Sequence, residues 1–295
     1  MDKIKALWTK FFSSINSLIR AGLGVGIVLL FVFYYIALDN RVVQGDTAGI
    51  LSFFQRLELN AYDTRLLSTM PNKMDPRVVI IDIDEKSIAA EGRWPWGRDK
   101  LSALVTQAFD NYKVRVIGFD VFFSEADTSS GLANLELLGK TSLQSSAEFQ
   151  EKLAELRPTL DFDSQFATAI KKHSVVLGFA GSNERAGLQK LELGVLPRPA
   201  FSIETLNKRA IASPVIDGYS GNLKPLQDAS SATGHILPQI DFDGVVRRLP
   251  LFIRFKNDYY ESLSVAIYRA YLDNEPIKVV LREDENDNVP KIKHV

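Results

Sequence analysis

Three short apolar runs recur along the chain: Val78-Val79-Ile80-Ile81, then Val114–Asp120 (VRVIGFD), then Val175–Phe179 (VVLGF). Each is dense in β-branched or aromatic residues, and that composition over so few positions predicts a buried strand. The first run continues into Asp82, Asp84 and Glu85, and the second closes on Asp120. Between the runs the spacing of apolar residues changes to three and four. Asp99–Asn111 places Leu101, Leu104, Val105 and Ala108 on one side, and Asp163–Lys172 turns Phe166, Ala167 and Ile170 inward, so both are predicted helices. The order strand, helix, strand predicts neighbouring parallel strands with a right-handed crossover. A short helical turn is expected near Ser87–Ala90. Ala126–Leu160 reads as a polar insertion, with loops at Ser129–Gly131 and Ser142–Ser146 and one helix near Ala147–Leu156.

Beyond the third run, Ile236–Ile240 and Val245–Phe255 read as a hairpin around Asp243-Gly244, a strong turn signal. Ser262–Leu272 is a predicted closing helix, Ile277–Leu281 a last strand and Glu283–Asn288 a polar turn. The expected fold class is α/β: a sandwich with a mostly parallel central sheet and a C-terminal β-hairpin plus helix, occupying residues 45–281, with 282–295 as a tail.

The N-terminal pattern is different. Ala21–Leu38 is 18 residues without a charge, a length that spans roughly 27 Å as a helix and approaches the hydrocarbon thickness of a bilayer. Lys3, Lys5, Lys10 and Arg20 precede it and predict a cytoplasmic N-terminus. Tyr35-Ile36-Ala37 makes a poor cleavage site, which favours an uncleaved signal anchor over a signal peptide. Within residues 1–20, Ile4, Leu7, Trp8, Phe11, Ile15 and Leu18 form one helical face, suited either to the membrane surface or to a plain extension of the following helix. Gly22 and Gly26 form a G-x-x-x-G pair compatible with a homodimer. Asp46–Leu67 is an expected membrane-proximal helix, with Asp46 or Thr47 as its cap and Ile50, Phe53, Phe54, Leu57, Ala61 and Leu66 on its apolar face.

Composition narrows the chemistry. The absence of cysteine excludes disulfides, thiolate nucleophiles and zinc–cysteine sites. A net charge of −1 provides no global field for nucleic acid. Three histidines leave little for histidine-based catalysis, and no nucleophile–base–orienting set assembles. No catalytic residue, metal or cofactor is expected. Asp241-Phe242-Asp243-Gly244 resembles part of a calcium loop, but that frame puts Gln239 first and Pro250 twelfth, so a turn is the better reading.

Candidate chemistry concentrates after the first apolar run. In open α/β sheets ligands bind beyond the carboxyl ends of the strands, which makes Asp84, Glu85 and Asp120, with Trp94, Trp96 and Arg98 from the loop Arg93-Trp94-Pro95-Trp96-Gly97-Arg98, the candidate ligand-binding residues. The acids either converge there or serve structure, capping helices or pairing with Arg93, Arg98 or Arg247. The tryptophans either form an aromatic platform or lock the loop to the core.

Several separate motifs resemble one family, the CHASE-type extracellular sensory domains, type 2. They are Tyr62-Asp63-Thr64-Arg65, Ile81–Ser87, Gly92–Trp96 with Arg98, Gly118–Phe123, Ala232-Thr233-Gly234-His235 and Asp241–Arg248, in matching order over roughly residues 45–275. The chain departs from the family in having Glu261, often proline, before Ser262. The resemblance implies a periplasmic or extracellular input module on an N-terminal membrane helix. In such receptors it responds to an unknown small-molecule or protein stimulus by a population shift. Downstream membrane helices then lead to an intracellular adenylate or guanylate cyclase, histidine kinase or protein kinase, so the chain reads as the N-terminal part of a longer receptor. Two other classes stay open: a metal-dependent hydrolase using the strand-end acids, and a partner-binding envelope protein.

Overall fold

The computed structural model describes residues 22, 24–33, 50–71, 73–183, 191–208, 210–282 and 291–294. The chain divides into two compact units, Met1–Ile81 and Asp82–Val295.

In the first unit, residues 24–33 are helical and exposed. Among the described residues no helix is long and apolar enough to cross a membrane. Both ends of the expected span, Ala21 and Leu38, lie outside the described residues, as do the expected 1–20 segment and the Asp46 or Thr47 cap. Helix α1 runs over Ile50–Thr69. Among its described residues Gln55 and Leu59 are buried, whereas Phe53, Leu57 and Leu66 of the expected apolar face are exposed. The run Val78–Ile81 is not a strand. It makes no ladder, and its residues are 72%, 78%, 87% and 60% exposed. β-branched residues favour extended backbone, but a strand also needs a neighbour to take its N–H and C=O groups.

The second unit is mixed α/β with several sheets. Helices α2 (Glu85–Glu91) and α3 (Arg98–Asp110) lead to strand β1 (Ile117–Phe119). The polar insertion holds two helices rather than one, α4 (Leu132–Lys140) and α5 (Ala147–Leu160). Helix α6 (Phe162–Lys172) then enters β2 (Val175–Ser182). Asp161 caps α6 by accepting from the Ser164 N–H at 3.0 Å, and Lys171 and Lys172 sit in its last turn, where they complement the helix dipole. Short strands β3 (Glu192–Leu193), β4 (Phe201–Ser202), β5 (Val215–Ile216) and β6 (Gly218–Ser220) follow, then α7 (Lys224–Ala229) and β7 (Ala232–His235).

β1, β2 and β7 are mutually parallel, with Ile117 opposite Val175 and Val176 opposite Ala232. β6 runs antiparallel to the far end of β2, and β3 lies parallel to β6. The parallel trio is the part of the expected sheet that forms, built on the second and third apolar runs.

Alternation along β2 divides the core. Val175 and Leu177 face a cluster with Leu101, Val105, Phe166 and Ile170 from α3 and α6, while Val176 packs with Ala266 and Ala270 of α8 (Leu263–Tyr271). Helices therefore cover both faces, as a parallel sheet requires.

The C-terminal hairpin is split. β8 (Gln239–Ile240) pairs with β9 (Val246–Arg248) around Asp243-Gly244, but Phe252–Phe255 forms a separate strand, β10, paired with β11 (Asp258–Glu261). Pro250 lies between them and lacks the N–H that one continuous strand would donate. β10 and β11 join β4 and β5 in a four-stranded sheet. Finally β12 (Val280–Arg282) pairs with β13 (Lys291–His294).

Candidate functional site

The loop before α3 is fixed by its own side chains. Gly92 ends α2 at φ 90°, a backbone state that glycine accepts readily. Its carbonyl accepts from the Trp96 indole Nε1–H at 2.8 Å. Trp94 and Trp96 meet edge to face at 5.8 Å, and both pack, partly buried, against the core under α3 and α6. The Trp94–Pro95 bond is cis.

Arg98 follows at the first position of α3. Its backbone N–H donates to Asp127 Oδ2 at 2.6 Å, and its Nη2 donates to the Glu125 carbonyl at 2.8 Å. Its Nε lies 3.2 Å from Asp163 Oδ1, and the guanidinium stands 4.7 Å from the centre of the Phe123 ring. The Asp127 N–H in turn donates to Asp163 Oδ2 at 2.9 Å. One arginine thus joins the start of α3, the loop after β1 and the start of α6.

Burial sets the electrostatics. At Asp163 it raises the pKa and outweighs the Asp127 N–H and Arg98. At Asp127 burial acts in the same direction, but hydrogen bonds from Ser129 and Arg98 overcome it and the pKa lies below the ordinary value.

A second polar crosspiece lies beside this one. Asn222 is fully buried; its Oδ1 accepts from the Phe123 N–H at 2.8 Å and its Nδ2 donates to the Gly178 carbonyl at 3.0 Å. It ties the loop after β1 to the middle of β2.

The structure therefore gathers Trp94, Trp96 and Arg98 around one loop. Asp84 stands elsewhere, as the N-cap of α2, accepting from the Ser87 N–H at 2.8 Å and the Ser87 hydroxyl at 2.7 Å. These bonds, the backbone one first, hold its pKa below the ordinary value. Glu85 is exposed in the first turn of α2, and Asp120 is exposed just past β1. Among the described residues no three His, Cys, Asp or Glu side chains are placed to hold a metal ion. Arg247 does pair with acids, but with its own neighbours Asp241 and Asp243. Asp127, Asp163 and Asn222 escape sequence reading because each acts across a long separation in the chain; the acid spacing around Ser164 gives only the α6 cap.

With this geometry established, comparison with known proteins is informative. The CHASE2 domain family model matches residues 29–293. The chain belongs to the CHASE2 family. CHASE2 domains are a family of extracellular sensory domains, which is consistent with a sensor role for this chain. No curated protein and no solved structure matches the chain.

Proposed function

We propose that this chain is the extracytoplasmic input module of a signalling receptor. It is anchored in a cell's inner membrane through Ala21–Leu38 with the N-terminus in the cytoplasm, and it controls an intracellular adenylate or guanylate cyclase, histidine kinase or protein kinase. The observation that carries this reading is the CHASE2 match over residues 29–293, which begins inside the apolar segment and continues into β13. Exposed Val25, Leu29 and Phe33 and the basic residues before the segment support the anchor. The G-x-x-x-G spacing of Gly22 and Gly26 supports a homodimer through that face.

The stimulus acts by population shift. A ligand reaching Trp94, Trp96 and Arg98 competes with the bonds that tie α3 to α6, and Asp84, Glu85 and Asp120 are the acids to test beside them. The experiment fuses the chain to a cyclase or kinase output and replaces these six residues singly, alongside topology reporters on either side of Ala21–Leu38. At least one folded variant should lose the response, with residues after the anchor reporting from outside the cytoplasm. Six folded variants with unchanged output would remove the site, and a cytoplasmic report from the domain would remove the anchor.

A further inference from the structure

His235 is the last residue of β7 and has no solvent exposure. Its ring meets Phe179, its register partner on β2, nearly edge-on at 6.4 Å. Nδ1 accepts from the Leu237 N–H at 3.3 Å, so the neutral ring carries its proton on Nε2. The Pro250 carbonyl lies near the ring, and Nε2 completes no hydrogen bond.

The backbone beneath it is equally tight. His235 bridges in parallel to Ser262, the N-cap of α8. At Gly234 an added Cβ would stand 2.5 Å from the N and Cα of Leu263. β7 and the start of α8 therefore touch through glycine, while the imidazole of the next residue points to the other face of the strand, toward Phe179.

We propose that His235 is a proton-operated joint, and that acidification outside the membrane protonates it and releases β7 from α8. This rests on the sensor reading above and names its stimulus. Protonation would put a hydrogen on Nδ1, facing the Leu237 N–H, so two donors would oppose each other where an acceptor now sits. It would also place a cation in a fully buried position.

The charged and titratable groups on the elements packed against β7 are few. β2 has none; α7 carries Lys224 and Asp228, paired with each other; β11 carries Asp258, Tyr259, Tyr260 and Glu261; α8 carries Tyr268, Arg269 and Tyr271. Glu261 Oε1 is already held by Arg269 at 2.5 Å.

The direction of the effect follows from burial, which lowers the His235 pKa from 6.5 to about 4. The opened or unfolded chain therefore takes the proton first. The closed joint is fully stable above 6.5 and loses stability as the pH falls from 6.5 to about 4, by up to tenfold per pH unit in the opening equilibrium. Burial raises the Glu261 pKa, which acts with the opposite sign and persists in a His235 variant.

The test uses the full chain in lipid nanodiscs. Unfolding is measured across this window for the wild type and for His235→Gln, whose amide oxygen can accept from Leu237 but cannot titrate. The wild type should lose stability up to tenfold per pH unit more steeply than the variant, with the difference vanishing above 6.5. Equal slopes would overturn the proposal. If the variant does not fold, NMR of histidine-labelled wild type decides. His235 titrating in the folded protein near 6.5 overturns the proposal, and His235 staying neutral down to about 4 supports it. Acid-driven opening without any change in a fused output domain would leave the joint standing and remove the sensor reading.

Discussion

Arg98 and Arg247 are both nearly buried, with side chains 11% and 5% exposed, and each is held by two aspartates. They differ in reach. Arg98 connects to Asp127 and Glu125, 29 and 27 residues away, and to Asp163 on another helix. Arg247 connects to Asp241 and Asp243, six and four residues away in its own hairpin. Similar chemistry therefore does two jobs. Around Arg98 it fixes how separate helices meet, and around Arg247 it fixes one turn. The hairpin also leaves Ile240, Phe242, Val245 and Val246 exposed, so little core packing depends on it. A stimulus that loosens Arg98 alters how separate helices pack, whereas one that loosens Arg247 acts first on its own hairpin.

The largest expected effect tests the long-range side of this contrast. Arg98→Met leaves the half-buried Asp163 without its cation, and breaking such a pair costs roughly 3–5 kcal/mol. Urea unfolding should register that loss. Adding Asp163→Leu should restore much of it, because the remaining cost is the stranded charge and not the missing bond. A loss below about 1 kcal/mol would place Arg98 with ordinary surface pairs, and the contrast with Arg247 would collapse.

The same contrast explains what the sequence revealed. Local signals were legible: the α2 turn, the spans of α3 and α6, β2, the Asp243-Gly244 turn and the closing helix after Ser262 all follow from periodicity or from residues within a few positions. Arg247 was expected as a candidate partner of the strand-end acids; it pairs instead with Asp241 and Asp243 of its own turn. Long-range partners were not legible. Nothing local to Arg98 points to Asp163, and nothing local to Asn222 points to Phe123 and Gly178.

Val78–Ile81 failed for a related reason. Its composition matches that of Val175–Leu177, yet the latter is wholly buried and the former exposed, because a strand is defined by its neighbours. The split at Pro250 and the extra helix Leu132–Lys140 were missed within longer segments that read as uniform. At the candidate site, the loop formed by Trp94, Trp96 and Arg98 was legible as a cluster, while Asp84 proved to be a helix cap.

A smaller effect is expected at the hairpin. Arg247→Met should lower the global unfolding midpoint by less than Arg98→Met does, because the stranded Asp243 is a quarter exposed and can reach water, while amide exchange accelerates at Ile240 and Arg248, the strand residues flanking the turn. A midpoint shift as large as that of Arg98→Met would mean that the hairpin is part of the core, and the local reading of Arg247 would be withdrawn.

The smallest effect separates the two clusters by pH. Arg247 donates to Asp243 at 2.8 Å and draws its carboxyl from 3.8 to about 2. A depressed folded pKa means that the unfolded chain takes the proton first. The hairpin's contribution is therefore present above 3.8 and disappears as the pH falls toward about 2. Asp163 has the opposite sign: burial raises its pKa, so the folded state takes a proton there before the unfolded chain does. Acid should thus release the Arg247 side chain without a matching loss at Asp163. The Arg247 side-chain nitrogen resonances should move between 3.8 and about 2 in the wild type and stay still in the double variant Asp241→Asn/Asp243→Asn, which removes both carboxylates that hold it. If both proteins move together, another group holds Arg247, and the turn acids are bystanders to the hairpin's stability.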